Sequence, residues 1–283
     1  MKKHFTTLLL FVILILGLSL LLYPTVSNYW NSFHQRVAVT SYMETVNDMD
    51  AERYETLLHE AQQYNEDLRS FSNRWEPAAA EHEQYLRTLD VTGTGIMCSV
   101  EIPSIGVTLP VYHSTNENVL QVAVGHIEGS SLPVGGKGTH CVLSGHRGLP
   151  SARLFTDLDK MAEGDIFSLC TMKEVLTYEV DRIRIVLPYE TQGLEIDSDE
   201  DLCTLVTCTP YGVNTHRLLV RGHRIDNPEQ AKYVHVTSDA VQVDPLLVAP
   251  VVAVPLLIIL LIWFLNEDNW RADRKKNKQY PKE

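Results

Sequence analysis

The sequence predicts a mostly β fold: a closed or nearly closed, antiparallel-rich barrel, preceded by helices and flanked by a transmembrane helix at each end. Three observations carry this. Charge-free apolar segments occupy residues 5–23 and 245–265 of the 283, with basic residues outside both. Residues 50–71 repeat their apolar positions at helical spacing. From Gly93 onward the period shortens to two, with Gly and Pro between short runs and no regular alternation of strand and helix.

The first apolar segment follows Lys2 and Lys3 and is longer than most signal-peptide cores. It is expected to be an uncleaved anchor over residues 1–25, although the helix-breaking Pro24-Thr25-Val26-Ser27 speaks for the rival reading. A cleavable signal is the competing reading, although no small-x-small triplet sits where a peptidase would cut. The second segment, 245–265, contains Pro250 and Pro255, which a membrane span tolerates. It leads into a basic tail over 266–283, with Arg271, Arg274, Lys275, Lys276 and Lys278. By the positive-inside tendency both termini are cytoplasmic, and the region between is exported as one extracellular domain of a multi-pass membrane protein.

That region, 24–244, holds 32 acidic and 16 basic residues, a formal charge of −16. Such a balance argues against nucleic acid as a partner. Its length, about 220 residues, suffices for a core without disulfides or a metal.

Within it, Tyr54, Leu57, Leu58, Ala61, Tyr64, Leu68 and Phe71 predict one helix, started by Asp48 or Asp50 as cap. A second begins near Pro77 and runs through Tyr85, Leu86 and Leu89. These helices make up a region over 40–92, and the break between them, Ser72-Asn73-Arg74-Trp75-Glu76-Pro77, holds one large aromatic. The β domain is assigned to 93–235. Its strand candidates are 96–102, 107–112, 139–144, 166–170, 175–186, 202–208 and 216–222. In the first of these, Ile96, Cys98, Val100 and Ile102 share one side, and Met97, Ser99 and Glu101 the other.

Five cysteines, Cys98, Cys141, Cys170, Cys203 and Cys208, are an odd number, so complete pairing within the chain is impossible. Cys98, Cys141 and Cys170 read as small core residues. Cys208 ends the run LCTLVTC over 202–208 just before the turn signal Thr209-Pro210-Tyr211-Gly212, where a side chain can face a cleft from a rigid strand. Cys203, five residues earlier, points to the opposite face. If the strands on either side of 210–215 pair as neighbours, Arg217 returns beside Cys208, and Arg221 falls farther down the ladder at a surface or in an ion pair. A guanidinium there favours a thiolate and can stabilise an oxyanion. His146, at the end of candidate strand 139–144 and followed by Arg147 and Gly148, is the histidine positioned for proton transfer. Spacing alone also fits a surface arginine and a structural histidine. A metal site built from His126, His140, Cys141 and His146 is disfavoured. There is no CxxC or HExxH pattern, and adjacent His140 and Cys141 would face opposite ways.

Longer runs add to this. Glu101-Ile102-Pro103, LPVYH over 109–113, VGHIEGSSLPVGG over 124–136, LSGHRGLPSARLFTDLDK over 143–160 and TLVTCTPYGVNTHRLLVRGHR over 204–224 resemble the class C sortases, the pilus-assembling cysteine transpeptidases of Gram-positive bacteria. The resemblance implies an eight-stranded β-barrel with helices outside, and no cofactor or metal. It implies Cys208 as nucleophile, His146 as catalytic histidine and Arg217 as catalytic arginine. It further implies cleavage of an LPxTG-like sorting signal through a thioester, resolved by a lysine of another pilin subunit to give an isopeptide bond. In that group an Asp-Pro-aromatic segment often covers the cysteine. Here Arg74-Trp75-Glu76-Pro77 stands in its place, with Trp75 and Glu76 as the possible lid. Two other readings stand beside this one: a tethered binding protein without acyl transfer, and a housekeeping sortase that joins proteins to a wall precursor.

Overall fold

The computed structural model describes residues 2–71, 73–227 and 258. Three helices come first, α1 (Lys2–Asn47), α2 (Ala51–Leu68) and α3 (Ala79–Arg87). Eight strands follow: β1 (Ile96–Ile102), β2 (Val107–Tyr112), β3 (Val124–His126), β4 (Thr139–Ser144), β5 (Ile166–Thr171), β6 (Glu174–Val186), β7 (Asp201–Thr209) and β8 (His216–Ile225). A single-turn helix, α4 (Glu117–Leu120), lies between β2 and β3. The strands close into a barrel in the order β1-β2-β3-β4-β7-β8-β6-β5. All neighbours are antiparallel except β2 with β3 and β4 with β7, which are parallel.

Two features depart from the sequence reading. Pro24 does not break the first helix, because α1 continues through it to Asn47. A proline forfeits one backbone hydrogen bond, and the turns beyond it are held by packing, with Tyr42 and Val46 fully buried. The strand β3 was absent from the expected set: three residues, one of them Gly125, are too few to display alternation. The C-terminal span over 245–265 and the tail over 266–283 lie outside the described residues, apart from Ile258. Among the described residues, one helical stretch, Ile13–Asn47, is long and apolar enough to cross a membrane.

The described residues from 26 to 227 form one compact unit. Inside the barrel, Val100, Ile102, Leu109, Val111, Leu143, Phe155, Phe167, Leu169, Leu205 and Val220 make the main core. Each such side chain contributes about 1.5–3 kcal/mol on burial. A second core forms where the helices cover the outside of the barrel: Tyr42 and Val46 of α1, Ala61, Tyr64 and Leu68 of α2 and Tyr85 of α3 join Met97, Leu132 and Met172. The alternation expected in β1 holds for Cys98, Val100 and Ile102, which face the barrel core. Ile96 joins Met97 under the helices instead, because the register with β2 shifts between Ile96 and Cys98.

Polar contacts fix how the helices sit. Asp50 caps α2, its carboxylate accepting from Arg53 N at 2.8 Å. Tyr42 hydroxyl donates to Met97 O at 2.9 Å and accepts from Met172 N at 2.8 Å. Asn65, buried on α2, donates to Leu132 O at 3.2 Å and accepts from Leu132 N at 2.7 Å. That pairing satisfies the backbone N–H of a residue in the loop from β3 to β4 and gives its carbonyl, which also accepts from Val134 N at 2.8 Å, a second donor. Asn65→Ala should therefore lower stability by about 1–3 kcal/mol, the cost of stranding buried polar groups; urea unfolding of the folded variant measures it, and a change within a few tenths would show the pair to be dispensable.

Candidate active site

The site is set by the register of β7 against its two neighbours. On the β8 side Cys208 lies directly opposite Arg217, and Val206 opposite Leu219. Opposed residues share a face of the sheet. Arg217 is in turn opposite Val186 of β6. On the β4 side the parallel ladder ends with Ser144 beside Val206. Gly145 N continues it, donating to Val206 O at 3.0 Å. Carried one residue further, this register brings His146 level with Cys208. His146, Cys208 and Arg217 thus stand in one row on three adjacent chain segments. Cys203 points inward to the barrel core, as the odd spacing requires.

The exit from β4 needs Gly145. A Cβ there would lie 2.7 Å from the ring of Phe155, a fully buried core residue that cannot retreat. The loop after His146 folds back so that Phe155 N donates to His146 O at 3.1 Å, and Thr207 hydroxyl donates to Gly145 O at 2.7 Å. Beside it Arg147, with 8 % of its side chain exposed, is ion-paired to Asp159. Its Nη1 lies 3.4 Å from Thr209 Oγ1, and its guanidinium sits over the ring of Tyr211. This arginine couples the strand end carrying His146 to the one carrying Cys208. No spacing in the sequence singles it out, since alternation after His146 turns it to the opposite face.

His146 is half-buried and its pKa is lowered, first by burial and then by the positive charge of Arg217, while Glu117 of α4 pulls the other way. Arg217 donates to His216 O at 3.0 Å and Asn214 O at 3.2 Å, which braces its guanidinium at the mouth of the turn between β7 and β8. Arg221 is elsewhere, with Nε 3.0 Å from Asp181 Oδ1, and that pairing raises its pKa. All five cysteines are free thiols. Burial pushes Cys98 and Cys141 well above the usual thiol range, whereas Cys208 is partly open to solvent.

The face bearing the row continues into an apolar patch of Val142, Val186, Leu194, Val206 and Leu219, against which Trp75 and Ile127 pack. Trp75 thus packs on the apolar patch to which Val206 of β7 belongs. The neighbouring Arg74 is the residue that fastens this segment. It donates to Gly129 O at 3.0 Å on one side of the patch and to Leu194 O at 2.7 Å on the other, and it stacks on Trp75 with 4.2 Å from guanidinium carbon to ring centroid. Gly129 permits this approach, since a Cβ there would lie 2.1 Å from Arg74 O. Glu76 is exposed and accepts from Asn73 Nδ2 at 3.1 Å. His140 supports the same wall: Nδ1 donates to Glu195 O at 2.7 Å and Nε2 accepts from Thr204 hydroxyl at 2.8 Å. Burial moves His140 to about 4, so it stays neutral and serves as a clamp. His126 is likewise buried, between Tyr85 hydroxyl at 3.1 Å and Ser131 O at 2.9 Å. Neither histidine is shared with His146 in a metal-ligating cluster among the described residues.

The sign of each electrostatic effect on His146 can be measured. The His146 ring, followed by NMR, should titrate below 6.5. Arg217→Gln should move that midpoint up and Glu117→Gln should move it down. A midpoint unmoved by either change would separate His146 from both charges.

The chain is similar to proteins of known family. The sortase domain model matches residues 100–225. The structure of sortase C1 from Streptococcus agalactiae is 48% identical, with a TM-score of 0.66, and the similarity covers 68% of this chain and 99% of that one. Sortase C of Streptococcus pneumoniae, whose structure is described as informative on catalysis and pilin substrate specificity, is 43% identical with a TM-score of 0.60, covering 67% of this chain and 97% of that one. Sortase D of Bacillus subtilis is 29% identical over 129 residues, 44% of this chain; the match spans 62% of that relative's length. With the barrel, the row of Cys208, Arg217 and His146 and this degree of similarity together, the chain belongs to the sortase family and, within it, to class C.

Proposed function

We propose that residues 93–235 carry a cysteine transpeptidase that cleaves an LPxTG-like sorting signal and joins pilin subunits, held at the cell surface by the anchor over 1–25. The observation that carries this is the direct opposition of Cys208 and Arg217 with His146 on the adjoining strand end. In the first half-reaction the Cys208 thiolate attacks the carbonyl of the signal's threonine. The new oxyanion meets the Arg217 guanidinium, and protonated His146 gives its proton to the departing glycine amine. The products are a thioester on Cys208 and a neutral imidazole. In the second, a pilin lysine amine attacks the thioester, neutral His146 takes the amine proton, and sulfur leaves as thiolate. The isopeptide bond forms and the starting charges return. A lowered His146 pKa favours the neutral imidazole that the second step uses and makes the imidazolium that the first step uses the minor form.

The apolar patch of Val142, Val206 and Leu219 fits the apolar residues of such a signal in an extended conformation along β7. Trp75 packs against this patch, which supports reading the segment as a lid that leaves when substrate enters. Arg74 and Trp75 are the working parts of this lid, and Glu76 holds its turn through Asn73. The competing class of reading, a tethered binding protein, gives no task to a cysteine, arginine and histidine in one row.

Product analysis decides the reaction. Supplied with a sorting peptide and pilin lysine in competition with a wall-precursor amine, the protein should yield the lysine-linked product, and Cys208→Ala should yield none. Arg217→Lys should lose about a hundredfold or more in turnover, as removal of an oxyanion donor does. Identical products from wild type and Cys208→Ala would refute the nucleophile, and preference for the wall-precursor amine would refute the pilin assignment.

Lid opening is read independently. Arg74→Ala or Trp75→Ala should raise the rate at which a thiol reagent labels Cys208 by about 5- to 30-fold if 1–2 kcal/mol of lid contact is removed. Unchanged labelling in folded variants would mean that the segment does not restrict the cysteine.

A further inference from the structure

Beyond Tyr23, α1 has two distinct faces. One meets the catalytic unit. Asn28 Oδ1 accepts from Arg153 N at 2.9 Å, Asn31 Nδ2 donates to Ser151 O at 2.9 Å, and Gln35 Nε2 donates to Val122 O at 2.6 Å. Tyr42 and Val46 continue this face into the core. The opposite face is apolar and bare. Val26, Tyr29, Trp30, Phe33 and Val37 recur at intervals of three and four, and are 62, 54, 64, 50 and 51% exposed.

The stripe directly follows the apolar run over 5–23, and no Asp, Glu, Lys or Arg interrupts the chain between Lys3 and Arg36. Residues 5–33 at about 1.5 Å per residue measure roughly 43 Å. A bilayer with its headgroup layers is about 40–45 Å thick, whereas its hydrocarbon alone is about 30 Å. The excess falls on the segment bearing Tyr29, Trp30 and Phe33. Tyr and Trp are the residues that settle at headgroup level, with the ring in the apolar boundary and the polar atom in the wet zone. Arg36 comes next, where a guanidinium can reach lipid phosphate.

We propose that the part of this stripe formed by Val26, Tyr29, Trp30 and Phe33 is seated in the outer headgroup layer of the lipid bilayer, and that it holds the loop leaving His146 at the membrane surface. Asn28 and Asn31 stand on the same helical turns as Tyr29 and Trp30. The loop they grip, at Arg153 and Ser151, is therefore at the same level. That loop starts at His146, so the row of His146, Cys208 and Arg217 opens close to lipid. This rests on residues 5–23 being an anchor.

The test uses the full-length protein in vesicles of phosphatidylcholine and phosphatidylglycerol. The Trp30 signal is the difference between wild type and Trp30→Phe, with Trp30→Tyr as a second subtraction. Lipids brominated near the headgroup end of the acyl chain should quench this difference signal, and aqueous iodide should leave it. Quenching by iodide and not by bromine would put Trp30 in water and overturn the proposal. Protection from both would put protein over the stripe, such as residues 245–265 or a second copy of the chain, and would also overturn it. Flotation in the same samples separates the two readings. Protein that fails to float with vesicles removes the anchor and this proposal together, whereas floating protein with a water-exposed Trp30 removes this proposal alone.

Discussion

The arrangement depends on the pairing register of β7. Its antiparallel ladder with β8 sets Arg217 opposite Cys208, and its parallel ladder with β4 delivers the segment that ends in His146. Side chains alternate across a strand, so a slip of one residue on either edge would turn a member of the row into the barrel. The register is guarded from inside. Leu205, Val220 and Leu143 fill the core from the same three strands, and any slip would carry them out into water. Packing energy spent on burial is thus also what aligns the chemistry.

The outer face of the same strands supplies the rest of the site. Val142, Val206 and Leu219 make an apolar floor, and its two walls come from loops carrying Gly129 and Leu194. Arg74 bridges those walls with one guanidinium and presses Trp75 onto the floor. Guanidinium contacts to carbonyls are directional, and the proposed lid would have to break both of these to open. His140, held neutral by burial, keeps the wall at Glu195 in place without adding a charge to the groove.

Much of this was legible in the sequence because it rests on local periodicity. The return of Arg217 to Cys208 followed from two apolar strands and a short Pro-Gly turn, and the opposite orientation of Cys203 from spacing alone. The long runs around His146 and Cys208 made the family resemblance specific. Features that depend on contacts distant in sequence were not legible. β3 is too short for a pattern, and the continuity of α1 through Pro24 reflects docking of turns far from the proline. The contacts of Arg74 join loops some fifty and more than a hundred residues away, so the sequence could show an aromatic in a helix break but not the arginine that fastens it. The burial of Arg147 beside His146 likewise comes from Asp159 and Tyr211, which no spacing rule connects to it.

The central claim is that Cys208 is placed to receive an acyl group that Arg217 and His146 help to transfer. Intact-protein mass spectrometry after mixing the enzyme with a sorting peptide and no amine tests it most directly. The account predicts an added mass equal to the peptide up to its threonine, mapped to Cys208 and discharged when lysine is supplied. An enzyme that remains unmodified, or one acylated at another cysteine such as Cys170, would contradict it.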